Sequence, residues 1–171
     1  KKGWWTSITA GDFDGDGRLD LAAGNWGLNS PYQLYHPATL RLFYDEPSAP
    51  APLKVVEAWQ SGTKWLPVRA RPWLARGFPD LAQRFPTHQA FGQATVLDIL
   101  GPSFSTARFV EVSGLESAVF MNRERHFECI SLPREAQLAP VFGISTADFD
   151  NDGHEDLFLA QNFFGAGSDM S

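Results

Sequence analysis

A chain of 171 residues is long enough for one compact domain or two small ones. Its 43% hydrophobic content, with 14 Phe, 6 Trp and 3 Tyr, supplies a core and excludes disorder. Fourteen basic against twenty acidic side chains leave a net charge of −6 and a pI near 5.1, so cations are better partners than nucleic acid. No apolar run reaches the roughly 18 residues that would span a bilayer, and the start, Lys1 to Trp4, lacks the apolar stretch of a signal peptide. The chain reads as a mature or excised segment. The lone Cys129 lies in an apolar strand run and reads as a buried, inert thiol, with no partner for an intrachain disulfide.

In chain order the first element is half of an internal repeat. Ile8–Leu21 (ITAGDFDGDGRLDL) recurs as Ile144–Leu157 (ISTADFDNDGHEDL), a constant offset of 136 with eight of fourteen positions identical. Each copy is strand, acidic loop, strand, and the runs leaving the loops, Leu19–Ala23 and Asp156–Ala160, are too short for helices. Next, Leu40–Asp45 and Leu53–Trp59 form two strands around Glu46–Pro52, which reads as a third repeat without its acids. Pro79 opens a short helix that Pro86 closes. Thr87 then caps a second helix with Ala90, Phe91, Ala94, Leu97 and Leu100 on one face, and Gly101-Pro102 stops it. The helix is expected to pack by Phe91, Ala94 and Leu97. Strands return at Arg108–Val112, Ser117–Asn122 and His126–Leu132. The expectation is a mainly β chain with a small helical insertion.

The first loop reads D-x-D-x-D-G-x-x-D through Asp12, Asp14, Asp16, Gly17 and Asp20. Alternating side chains in a tight loop converge on one point, the glycine permits the reversal, and Arg18 can offer its carbonyl, so four carboxylates and a carbonyl surround a hard cation. The second loop repeats this with Asp148, Asp150, Asp152, Gly153, the carbonyl of His154, and Asp156. An all-oxygen cage suits Ca²⁺. Mg²⁺ demands a stricter octahedron and Zn²⁺ wants His or Cys, of which the loops offer only the His154 side chain. A pair of plain Asp-Gly turns would leave four like charges within nine residues unneutralised, twice. An EF-hand needs an acid at loop position twelve, where Ala23 and Leu159 stand, and helices on each side. Two Ca²⁺ ions per chain are expected, none in the middle repeat.

These residues resemble an FG-GAP (VCBS-type) repeat, the β-propeller blade of integrin α subunits and many bacterial surface proteins. Trp4, Trp5, the loop at 12–20, Gly24–Ser30, Phe85–Thr95 and Leu132–Gln137 are similar to a bacterial subgroup found with ASPIC/UnbV proteins, although the ASPIC/UnbV segment itself is not evident. The resemblance implies a partial β-propeller, too short to close a ring alone, whose calcium loops join the first two strands of a blade. The organisation it implies is one propeller-like segment: a calcium-binding repeat at 1–35, a degenerate repeat at 36–66, a helical insertion at 67–103, and strands plus the second calcium-binding repeat at 104–171.

Catalytic signatures are missing: the chain has no G-x-S-x-G, H-E-x-x-H, Walker A or G-x-G-x-x-G. His36, His88, His126 and His154 are scattered, and His88 reads as a surface residue of a first helical turn. Lys64, Arg69, Arg71, Arg76 and Arg84, opposed only by Asp80, give a local charge of +4 beside Trp65 and Trp73. Such a stretch can grip an anionic glycan or nucleic acid. The plainer expectation is that its arginines pair with acids and its tryptophans pack. The function expected is a non-catalytic, calcium-stabilised binding or scaffold module, extracellular, periplasmic or on the cell surface, for a protein or glycan ligand. The alternatives are part of an extracellular carbohydrate-active enzyme, marked by further convergent acids, and a calcium-regulated switch.

Overall fold

The computed structural model describes residues 1–35, 37–44 and 53–163. His36, Asp45 and the loop Glu46–Pro52 lie outside the described residues. In chain order the elements are β1 (Ser7–Gly11), β2 (Asp20–Gly24), β3 (Leu40–Tyr44), β4 (Val55–Ser61), β5 (Lys64–Pro67), α1 (Arg71–Leu74), α2 (Leu81–Arg84), α3 (His88–Gly92) and α4 (Val96–Leu100). Then follow β6 (Arg108–Val112), β7 (Ala118–Asn122), β8 (Phe127–Ser131), β9 (Val141–Ala147) and β10 (Asp156–Gln161). The protein is mainly β, built of antiparallel sheets with few, short helices, and no closed propeller forms among the described residues. No helix is long and apolar enough to cross a membrane.

Two compact units divide the chain, one of residues 1–34 with 114–171 and one of residues 35–113. In the first unit β1, β2, β7 and β8 form a four-stranded sheet in that order, and β9 and β10 form a separate hairpin. Both acidic loops therefore join antiparallel neighbours, and the two hairpins share one register. Gly11 pairs with Asp20 and Ile8 with Ala23 in the first; Ala147 pairs with Asp156 and Ile144 with Leu159 in the second, each residue displaced by the sequence offset of 136. Small apolar residues on both faces of β2 and on the adjoining β7 support this arrangement, with Ala22, Ala23 and Ala118 almost fully buried. Thr6 Oγ1 and Ser7 Oγ both donate to the carbonyl of Val141, the latter at 3.0 Å, and tie the second hairpin to the first.

A buried polar knot completes the first unit. Gln137 accepts the Ser117 amide at 2.9 Å and donates to the carbonyls of Ser117 and Leu132 at 2.9 and 3.0 Å. Asn25, fully buried, donates its amide N–H to Ser117 Oγ and its side chain to the carbonyls of Gly114 and Glu116. With every donor matched, the knot avoids the cost of buried polar groups without partners. Gly27 sits at φ 79°, where an added Cβ would lie 2.7 Å from the Gln137 carbonyl, so glycine is required by both conformation and space.

The second unit carries the sheet β5-β4-β3-β6 and the helices. Its core joins Phe43 and Val56 of the sheet to Leu74, Leu81, Phe91, Val96 and Ile99 of the helices. The expected boundary between a degenerate repeat at 36–66 and an insertion at 67–103 falls inside this unit. β6, grouped at first with the residues 104–171, pairs instead with β3 through Phe43 and Phe109. β5 and α1 were not expected: Pro67 and Pro72 mask them in the pattern, yet Pro67 ends an edge strand and Pro72 stands in a first helical turn, both positions that tolerate proline.

The expected helix from Thr87 to Leu100 is two helices. Thr87 caps α3 by accepting the Ala90 amide at 3.1 Å, but Thr95 starts α4 anew in a reciprocal capping box with Asp98. The restart turns the frame, so Phe91, Ala94, Val96, Ile99 and Leu100 are buried while Leu97 is 55% exposed. Within the basic stretch, Arg69 pairs with Glu57 at 2.7 Å and Arg84 with Asp80 at 2.9 Å. Arg71 donates to the Phe85 carbonyl at 2.6 Å and Arg76 lies over the Trp73 ring. Trp65 packs against the core, whereas Trp73, expected to pack, is 55% exposed. Cys129 in β8 is half-buried, where a buried thiol was expected.

Candidate metal centre

Each acidic loop is framed by its own backbone amides. Asp12 accepts the Asp16 amide at 3.0 Å on one carboxylate oxygen and the Gly17 amide at 2.9 Å on the other. Asp148 does the same with Asp152 at 3.1 Å and Gly153 at 2.9 Å. Asp20 accepts from the Phe13 amide at 3.1 Å, as Asp156 does from Phe149 at 3.0 Å. The reversal needs left-handed residues in both loops: Gly17 at φ 84° matches Gly153 at 89°, and Gly15 at 72° matches Asn151 at 65°. Asparagine is one of the few other residues that adopt that conformation readily, so this substitution keeps the loop.

The result is two carboxylate clusters of the same composition. Asp12, Asp14 and Asp20 bring one oxygen each within 4.8 Å of one another, and so do Asp148, Asp150 and Asp156. Asp16 and Asp152 stand outside these groups and instead accept the amides of Arg18 at 2.9 Å and His154 at 2.8 Å. Arg18 is half-buried and its side chain pairs with Asp16 and with the Asn122 carbonyl, while His154 is exposed. Three hard, anionic oxygens converging from a loop that also offers backbone carbonyls match the chemistry of Ca²⁺ and lack the nitrogen or sulfur that Zn²⁺ selects. The residues present fit calcium.

The loops differ in their neighbours. The turn after β7 lies against the first loop, where the Asn122 amide donates to the second oxygen of Asp20 at 2.6 Å and the Asn122 side chain to the Leu19 carbonyl at 3.2 Å. Arg123 donates to Asp14, lies 3.9 Å from Asp16, and bonds Glu128 at 3.0 Å. That guanidinium holds the Asp14 carboxyl below its ordinary pKa, while the hydrogen bonds it donates to Asp14 and Glu128 push Arg123 further up. Glu155, from the second loop, accepts the Asp12 amide at 2.6 Å. Sequence reasoning missed Asn122, Arg123 and Glu155. Glu155 stood inside the repeat, but a pairing across 143 residues leaves no trace in spacing.

A second concavity, of about 530 Å³, opens on the first unit and is lined chiefly by Trp5, Ile8, Leu21, Ala23, Phe120 and Phe127. Among the described residues that line it Lys1 alone is charged, so these offer no pair of ionisable side chains for acid–base chemistry.

Residues 4–30 match the model of the FG-GAP repeat. The match takes in β1, the first acidic loop, β2 and the buried Asn25, so the first hairpin is similar to that repeat. The second loop lies outside the matched stretch and shares the first loop's register and amide frame. No curated protein and no solved structure matches the chain.

Proposed function

We propose that the protein is a calcium-stabilised, non-catalytic binding or scaffold module built from FG-GAP/VCBS repeats, a segment of a β-propeller from an extracellular, periplasmic or cell-surface protein. The observation that carries this reading is the duplicate loop: the same carboxylates converge on the same amide frame, on two hairpins of one register. FG-GAP repeats are in general non-catalytic and typical of extracellular proteins, and the four-stranded β1-β2-β7-β8 sheet has the size of a blade. Asp12, Asp14 and Asp20 hold one ion and Asp148, Asp150 and Asp156 the other. Asp16, Asp152, the carbonyls of Arg18 and His154, and water complete shells of six to eight oxygens. The apolar concavity around Trp5 and Phe120 is the surface offered to a protein or glycan ligand.

The enzyme reading gains no support, because the two loops are the only groups of three His, Cys, Asp or Glu able to hold a metal among the described residues. Elemental analysis of the purified chain with calorimetric titration of CaCl₂ tests the proposal. Two ions per chain are expected, falling to one on Asp12→Ala or on Asp148→Ala. An unaltered count in both variants, or no calcium at all, overturns it.

A further inference from the structure

The two loops coincide residue for residue in their backbone frame but not in charge. Around the first, Arg18 pairs with Asp16 and Glu124, and Arg123 reaches Asp14 and Asp16 from the turn between β7 and β8. Around the second, no ion pair to Asp148, Asp150, Asp152 or Asp156 forms among the described residues, and His154 replaces Arg18. The structural reason lies in the sheets. β2 has a third strand, β7, and its turn delivers Asn122 and Arg123 to the first loop, whereas β10 pairs with β9 alone among the described residues.

We propose that Arg123 is a built-in counter-cation of the first loop, which makes that loop the weaker and later-filling of two unequal calcium sites; this rests on the calcium reading above. Asp14 is the carboxylate it occupies, and Glu128, bonded through Nε, anchors the guanidinium from the other side. A cation already neutralising one ligand opposes an incoming divalent ion. A unit charge acting on a divalent ion a few ångströms away through a water-like medium is worth on the order of 1–2 kcal/mol, about tenfold in affinity. Glu155, which accepts the Asp12 amide, and Glu124 and Glu128, which pair with the two arginines, add negative charge beside the same loop, but Arg123 alone of these five groups bonds a carboxylate of the converging cluster, Asp14.

The test is calorimetric titration of the full chain with CaCl₂ at fixed ionic strength, with far-UV circular dichroism confirming the fold of each variant. Asp148→Ala with Asp150→Ala silences the second loop, and Asp12→Ala with Asp14→Ala silences the first. In the chain with only its first loop, Arg123→Gln is expected to tighten calcium binding about tenfold, and Arg123→Lys, which keeps the charge, to stay within about threefold of the unaltered arginine. An unchanged or weakened affinity in Arg123→Gln overturns the proposal, since it would make the arginine a mere support for Asp14. Should Arg123→Gln not fold, the two single-loop chains decide by themselves. The first loop is expected to bind more weakly than the second, and equal affinities overturn the inference. Absence of calcium binding in the unaltered chain overturns the calcium reading and this inference with it, a result distinct from binding that ignores Arg123.

Discussion

Gln137 shows how much one side chain settles in the first unit. It spans the Ser117 amide and two carbonyls from a position 5% exposed, so nothing but protein can satisfy those groups. Truncation to alanine strands the Ser117 amide and the Leu132 carbonyl, each costing about 1–3 kcal/mol if left unpaired and less where water enters, while the Ser117 carbonyl keeps the Leu132 amide. Gln137→Ala is therefore expected to lower unfolding free energy by at least about 2 kcal/mol, read from urea denaturation. Asp14 argues at the same scale through pH. Its carboxyl is held below the ordinary 3.8 by the hydrogen bond from Arg123, so its pairing is worth most above about pH 4. That contribution is lost as pH falls through the lowered folded value. In calcium-free buffer the melting temperature of the unaltered chain should exceed that of Arg123→Gln near neutrality, and the gap should close between about pH 4 and pH 2. A gap constant across that range would refute the pairing.

At the scale of elements, α3 and α4 show why a helical stripe read across a capping residue misleads. The apolar spacing of Phe91, Ala94 and Leu97 suits one continuous helix, but the Thr95–Asp98 box satisfies the amides of a new start more cheaply than continuation would. Phe91 then contributes to the core and Leu97 does not. Phe91→Ala is expected to cost about 3–5 kcal/mol, the range for a buried phenylalanine, and Leu97→Ala less than about 0.5 kcal/mol, as for a surface substitution. Equal costs would restore the single helix. The strands were more legible: β6 coincides with its expected span and β2, β7, β8 and β10 differ by a residue or so at their ends. Short apolar runs bounded by Gly, Asn and Ser leave little freedom in where a strand stops.

For the whole molecule, calcium is expected to act on one unit. Both loops belong to the unit of residues 1–34 and 114–171. At calcium ten times the dissociation constant of the weaker site, two independent sites would stabilise it by at least about 3 kcal/mol, a substantial part of a typical 5–15. Chelation should lower the melting temperature while leaving far-UV circular dichroism largely intact. Hydrogen exchange should then show loss of protection in β1, β2, β9 and β10, with β3 to β6 unchanged. Superimposable melting curves with calcium and with chelator would refute a structural role, and a large reversible change in circular dichroism would favour a switch.

The backbone frame of the loops was readable from the sequence because they are short-range objects. A carboxylate four or five residues from the amide it accepts, and a glycine at the left-handed turn, set one another's geometry, so Asp12 and Asp148 could be placed by spacing alone. The duplicate offset then pointed to a second hairpin of the same register. What only the tertiary structure decided is which distant strand closes each hairpin and what charge it brings. β7 lies about a hundred residues beyond β2, and its pairing decides that the first loop meets Asn122 and Arg123 and that Arg18 reaches the Asn122 carbonyl. Long-range pairing is selected by the fit of whole faces, Ala22 against Val119 and Ala23 against Ala118, and a face that fits is a property of two strands together, which no single stretch of sequence carries.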